Sequence, residues 1–293
     1  MADDLPRCAA IVPTLDRADE LDACLAALAA ARPGFACVVV ADQGDRPALA
    51  ARVAAAGARY LHLDRRGLSH ARNAALATVD APWCYFPDDD CLPAPDLLAR
   101  FGAALARDPA AWFVAARVVT PAGRAIMPGA GAEPRAITTP ADVLATVMSP
   151  GLFVSAAALA RVGGYDERFG VGAEWPSGEE SDLLFRILAA GGHGRYAPDA
   201  IVTHPDPFAV RDPLARRARA RLYGRGWGAL FAKHAVTDPR FAAMQRHYET
   251  RALGGAAVAA LTLRIERARR HWQSWRGRRE GWRGFRAGSG AGA

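Results

Sequence analysis

Residues 36–41, ACVVVA, form a β-branched run in which apolar and polar positions do not alternate. A strand with one wet face alternates, whereas a strand covered on both faces stays apolar along its length. The same logic applies to 8–13 (CAAIVP), 59–63 and 83–86. Between these runs, residues 18–31, 46–56 and 69–77 carry apolar residues at helical spacing, and the first of them has acids in its opening turn. Strand and helix alternate about every 20–25 residues, which predicts βαβ units, an α/β fold and a mostly parallel sheet with helices on both faces.

In such a sheet, ligands bind beyond the carboxyl ends of the strands. Three polar clusters fall at those ends: Thr14-Leu15-Asp16-Arg17, Asp42-Gln43-Gly44-Asp45 and Asp88-Asp89-Asp90. The first turn, IVPTLDRADE, contains no glycine. The glycine fingerprint of dinucleotide-binding domains is therefore missing there, and no P-loop occurs elsewhere.

The stretch WCYFPDDDCL ends an apolar run in three carboxylates. Unit charges about 4 Å apart repel by roughly 1 kcal/mol in water and roughly 4 kcal/mol at the dielectric of a protein surface. The cluster is either a solvated loop whose last acid caps a helix or a cation site. A second acidic group, Glu179-Glu180, opens SGEESDLLFRILAAGG, where the helix dipole alone would favour acids. With the later His204, the two groups offer oxygen and nitrogen ligands for one divalent ion and one base for a reacting hydroxyl.

Seven segments now stand in order: IVPTLDR, VVVADQG, RRGLSHARNAAL, FPDDDCLP, VGGYDERFG, GEESDLLFR and APDAIVTH. Together they resemble a family 2 glycosyltransferase of the GT-A fold over most of residues 8–207. The resemblance implies an inverting transfer of one sugar from a nucleoside-diphosphate sugar, a UDP-sugar being favoured, with Mn²⁺ or Mg²⁺ as cofactor. It places Pro13, Thr14 and Asp42 in the nucleobase and ribose pocket and brings Arg72 toward the nucleotide. Asp88 would meet the ribose, and Asp90 the metal, with Asp88 and His204 as further ligand candidates. Asp89 is counted with the donor site as the most replaceable of the three, in a supporting or solvent-facing place. Glu180 would be the base, with Glu179 its rival. Trp175 and Asp182 are assigned to the acceptor side, and the loops 121–140 and 170–178 to acceptor specificity.

The chemistry independently asks for these residue types. Expelling a nucleoside diphosphate builds negative charge that a hard cation stabilises, and a separate carboxylate must accept the acceptor proton. Two departures from the family pattern are Asp42-Gln43 where relatives carry two Asp, and a Glu-Glu pair in place of Glu-Asp. The absence of a Gln-x-x-Arg-Trp motif argues against a processive polymerase. A nucleotidyltransferase would also use an acidic α/β site, but the glycine-rich triphosphate loop it needs is missing.

Charge separates the chain into two parts. Residues 1–207 hold 18 Arg and 25 acids, a balance of −7, whereas 208–293 hold 19 basic residues and 5 acids, a balance of +14. The expected organisation is a catalytic domain over 1–207, a basic helical extension over 208–286, and a disordered AGSGAGA tail at 287–293. Arginines in the extension are interleaved with Trp227, Trp272, Trp275, Trp282 and Phe285. That pattern suits an anionic membrane surface, a nucleic acid, or a helical hairpin packed on the catalytic domain. With a glycosyltransferase upstream and a glycan or lipid-linked acceptor, the membrane is favoured over nucleic acid. The location is then cytoplasmic, peripheral at the inner membrane, in envelope or extracellular glycan synthesis. The longest uncharged stretch of the extension, 252–263, is 12 residues, too short to span a bilayer. The start of the chain does not read as a signal peptide. Five scattered cysteines support neither a disulfide framework nor a zinc site.

Overall fold

A computed structural model describes residues 6–289 except 33, 128, 208, 210 and 211. In chain order the elements are β1 (Cys8–Thr14), α1 (Ala18–Ala30), β2 (Cys37–Asp42), α2 (Pro47–Ala55), β3 (Arg59–His62), α3 (Leu68–Leu76), β4 (Trp83–Tyr85), β5 (Leu92–Pro93), α4 (Leu97–Arg107) and β6 (Phe113–Val119). They continue with β7 (Arg135–Ile137), α5 (Pro140–Thr146), β8 (Leu152–Ser155), α6 (Ala156–Val162), α7 (Glu179–Ala189), β9 (Gly194–Thr203), α8 (Pro213–His234), α9 (Arg240–Leu261) and α10 (Ile265–Ser289). Two compact units form. One contains residues up to 165 together with 183–206, and the other contains 166–182 with the chain beyond 206. The segment 166–182 is grouped with the helical unit, whereas the expected organisation places it in the catalytic domain.

The first unit is α/β. Its sheet runs β3-β2-β1-β4-β8-β6-β9-β5, with β7 also on β9. Strands β3, β2, β1 and β4 pair in parallel as expected, and so do β6 and β9. Strand β8 is antiparallel between β4 and β6, and β5 and β7 are antiparallel to β9, so the sheet is mixed. Strand direction follows from how a segment is connected, and nothing in the pattern LFVS encodes it. Strand β1 is buried at every position, which explains its lack of alternation. Helix α1 buries Leu21, Cys24, Leu25 and Leu28, one face at i, i+3, i+4 and i+7, beneath an acidic first turn of Asp19 and Glu20. The rings of Tyr85 and Phe153 stack at 4.5 Å and those of Phe101 and Phe153 at 4.4 Å at the centre of the core.

The Pro/Gly-rich span after β6, expected to be a mobile loop, is partly structured. It contributes β7 and a bridge between Val119 and Ala125. It then enters α5 through a capping box in which Thr139 and Asp142 exchange hydrogen bonds. All five cysteines are free.

The second unit is built on α8, α9 and α10. Helix α8 starts at Asp212, whose carboxylate accepts from the Leu214 and Ala215 amides, with Pro213 in the first turn. Helices α8 and α10 meet through glycines spaced four apart, which lie on one face of each helix. A Cβ at Gly281 would stand 1.8 Å from the Arg225 carbonyl oxygen, and one at Gly277 2.1 Å from that of Arg221. From the other side, a Cβ at Gly228 would stand 2.0 Å from the Arg278 oxygen. No side chain fits, so the contact is backbone on backbone. We expect Gly281→Ala to cost about 1–3 kcal/mol in urea unfolding. Gly254→Ala, in α9 with open space around its Cβ position, should gain about 0.5–1 kcal/mol. Equal effects of the two would refute the close packing.

The aromatic residues of this unit take part in its packing, and Trp227, Trp275 and Trp282 are half-buried. Phe285 is buried against Phe169 and Trp175, Trp227 packs on Phe231 at 5.8 Å, and only Trp272 among the five aromatics singled out is exposed. The Arg–aromatic interleaving therefore reflects packing, with Arg279 over Trp275 and Arg286 over Trp282. Helix α10 continues to Ser289, so the expected disordered tail starts as helix, and 290–293 lie outside the described residues. Among the described residues, no helix is long and apolar enough to cross a membrane.

Candidate active site

Parallel pairing aligns the carboxyl ends of the first strands. Thr14 pairs with Asp42, and Asp42 with His62. The polar clusters at 14–17 and 42–45 are therefore neighbours, and a Cβ at Gly44 would come within 2.9 Å of Asp16. Asp42 is buried at 1% exposure, and both of its oxygens are engaged, Oδ1 by the Gly44 amide (2.9 Å) and Oδ2 by the Tyr60 hydroxyl (2.9 Å). Burial and that bond push the Tyr60 phenol up to about 12. Gln43 accepts from the Gly67 amide at 2.6 Å, which ties the second loop to the start of α3.

The three acids after β4 have different environments. Arg72 is fully buried and donates from Nη2 to Asp88 Oδ1 (3.1 Å) and to Ser149 Oγ (2.6 Å), with its guanidinium 5.3 Å from the Tyr165 ring centre. Expected to approach the nucleotide, Arg72 is instead enclosed and holds Asp88. Asp89 is the most buried of the three and does not face solvent. It accepts from Thr14 Oγ1 at 2.8 Å and lies 3.4 Å from Arg17. Burial outweighs these partners and pushes its carboxyl up to about 6. Pro13 and Thr14 are buried alongside. Arg17, which the sequence did not single out, also pairs with Asp90 Oδ2 at 2.9 Å.

His204 joins the cluster from the residue after β9. Its Nε2 stands 3.4 Å from Asp90 Oδ1 and 3.8 Å from Asp88 Oδ2, while Nδ1 lies 2.5 Å from the Pro205 carbonyl. A carbonyl can only accept, so Nδ1 carries the proton. Nε2 then faces two carboxylates, a position from which its lone pair can join them as a ligand to a cation. Asp90 Oδ1 is itself buried without a hydrogen-bond partner. Ligand atoms of Asp88, Asp90, Cys91 and His204 all lie within 4.8 Å of one another. Burial, followed by the charge of Asp88, raises the Cys91 thiol well above its ordinary value, and a hard cation favours the oxygen and imidazole ligands over a thiol. Asp88, Asp90 and His204 fit a divalent cation of the Mn²⁺ or Mg²⁺ type.

The second acidic group belongs to the helical unit. Gly178, at φ +89°, leads into α7, whose first turn holds Glu179, Glu180 and Asp182. Glu179 is 6% exposed and Glu180 is half-buried. Asp182, expected on the acceptor side, is fully buried and held by Lys233 and by His234 Nε2 at 2.9 Å. Lys233, the only lysine in the chain, also bonds Asp166 at 2.8 Å and sits 5.3 Å from the Phe169 ring centre. Trp175, the other acceptor candidate, is 5% exposed, packed 6.0 Å from Phe285 with Arg225 over its ring. It is part of the interior of this unit.

Residues 9–148 match the model of glycosyl transferase family 2. Over that segment, a little under half of the chain, the sequence is similar to this family. Two curated relatives from strains of Mycobacterium tuberculosis, each a pre-mycofactocin glycosyltransferase, are 31% identical over 186 residues, which is 59% of this chain and 37% of theirs. The chain thus spans less than two-fifths of the length of the curated relatives it matches. Among solved structures, the mannosyltransferase PcManGT from Pyrobaculum calidifontis, in complex with GDP-Man and Mn²⁺, aligns with a TM-score of 0.62 at 19% identity, covering 96% of this chain and 88% of that one. Residues 1–349 of S. aureus TarS, in complex with UDP, align with a TM-score of 0.56 at 14% identity, covering 96% and 92%. These likenesses give the chain the GT-A fold.

Proposed function

We propose that the chain moves one sugar from a nucleoside-diphosphate sugar to an acceptor hydroxyl, with inversion at the anomeric carbon. The observation that carries this reading is the Asp88–Asp90–His204 cluster at the carboxyl edge of the sheet, in a segment that matches family 2. A divalent cation held by these three residues would supply positive charge against the departing diphosphate. Arg72 fixes Asp88, Thr14 and Arg17 fix Asp89, and Arg17 shares the charge of Asp90. Asp42, braced by Tyr60 and the Gly44 amide, serves the nucleoside end of the donor, and Asp88 the ribose. Glu180 takes the proton of the attacking hydroxyl. Neighbours crystallised with GDP-Man and with UDP support this donor class, and the Mn²⁺ of the first supports the cation. The acceptor is a glycan or a lipid-linked glycan in envelope or extracellular polysaccharide synthesis, reached from a peripheral position on the cytoplasmic face of a membrane.

The test is thermal unfolding of the full chain with Mn²⁺ and a panel of UDP- and GDP-sugars, followed by assay of nucleoside diphosphate release. A matching donor at about 100 times its Kd adds about 2.7 kcal/mol of stability. Asp90→Ala should lose both the Mn²⁺-dependent shift and turnover. No shift with any nucleotide, or an unchanged shift and turnover in the variant, would sink the assignment.

A further inference from the structure

The turn between α9 and α10 exposes aliphatic side chains that nothing in its own unit covers. Leu261 and Leu263 are each 84% exposed, Leu214 at the start of α8 is 67% exposed, and Val258 62%. Leu263 has φ +55°, in the left-handed region that ordinarily goes to glycine or asparagine. A large apolar residue thus occupies a strained turn and faces water, against both conformational preference and the hydrophobic effect.

Beside these residues lies a cleft of about 630 Å³ lined by Arg216, Arg217, Arg264, Arg267 and Arg270, with Glu266 as its one acid. Glu266 is already engaged by both donors of Arg217 (3.0 and 3.1 Å) and by Arg269 (3.1 Å). Among the described residues, Arg216, Arg264, Arg267 and Arg270 have no carboxylate within ion-pair distance. The surface is therefore an aliphatic tip beside uncompensated guanidinium groups.

Duplex or single-stranded nucleic acid would meet the arginines but offers nothing to the four aliphatic residues, whereas the exposed Trp272 ring suits a bilayer interface as well as a base. A bilayer with anionic headgroups satisfies both halves: aliphatic side chains enter the headgroup boundary while arginines meet lipid phosphates. We propose that the α9–α10 turn is a docking knuckle that seats the chain on an anionic phospholipid bilayer. Leu261 and Leu263 insert, and Arg264, Arg267 and Arg270 contact phosphates. The surface is independent of the transfer reaction and is read without donor or acceptor.

Flotation of the full chain with phosphatidylcholine vesicles, with or without phosphatidylglycerol, tests it. Wild type should float with the anionic vesicles only, and less as salt rises. Leu261→Ser combined with Leu263→Asn should weaken binding at least about tenfold. Asn suits the positive φ, so Leu263→Asn alone keeps the fold and serves as a second variant, with thermal unfolding as the check. Arg264→Glu with Arg267→Glu should weaken binding by about tenfold or more. Failure of the wild type to float, equal flotation with neutral vesicles, undiminished flotation of the variants, or salt-dependent binding of DNA or RNA without vesicle binding would each overturn the proposal.

Discussion

Glu180→Gln is expected to keep the fold and the affinity for the donor while lowering transfer about 10²–10⁴-fold, the usual contribution of a positioned base. Glutamine preserves shape and hydrogen bonding but cannot take a proton at neutral pH. Adjacent helical residues point about 100° apart, so Glu179 and Glu180 do not share a direction. Burial distinguishes them, because Glu179 is 6% exposed and Glu180 is half-buried and so more accessible to an acceptor. Steady-state kinetics should therefore show kcat falling with the donor KM unchanged. Glu179→Gln should act mainly on stability. The opposite split, full kcat in Glu180→Gln and loss in Glu179→Gln, would move the role to Glu179.

Lys233→Met should destabilise the protein by about 3–5 kcal/mol, as expected when one partner of a buried ion pair is removed. Asp182 is fully buried and keeps only His234 among the partners named above, while Asp166 keeps Arg168. The loss should depend on pH. Burial alone would raise the Asp166 carboxyl, but hydrogen bonds from Arg168 and Lys233 and the lysine charge outweigh it and hold the group well below the usual carboxylate range. Its folded-state value lies below the unfolded value of about 3.9. The stabilisation is therefore complete above that value and is lost as pH falls through the lower folded-state one. Urea unfolding at pH 7 and pH 3 should show a gap between wild type and variant that narrows at the lower pH. An identical gap at both would assign the loss to packing on the Phe169 ring.

What the sequence disclosed and what it hid divide along physical lines. Unalternating runs such as CAAIVP and ACVVVA revealed strands covered on both faces, because burial leaves its mark on each residue. Strand β7 was hidden because its three residues lie in a Pro/Gly-rich span and owe their order to pairing with β9. His204 was reachable as a ligand because it follows an apolar strand. Its role became specific only with the Nδ1 contact to a carbonyl, which turns Nε2 toward Asp88 and Asp90. Arg17 gave no signal beyond being polar in a turn, and its two carboxylate partners are more than 70 residues away. Trp175 and Phe285 looked like binding groups because composition cannot tell an exposed ring from a buried one. Lys233 could have been noticed as the sole lysine among arginines. A compact ammonium can bridge two carboxylates where a planar guanidinium fork would not substitute for it.

The glycine contact between α8 and α10 has a consequence for how this unit tolerates change. Attraction between main chains does not depend on which side chains flank them, so positions around the seam can vary in charge and size while the helices stay in register. The glycines are the positions at which no side chain fits. The outward surface of the unit can therefore be re-tuned toward a different partner by ordinary point mutations, without a new scaffold having to arise first.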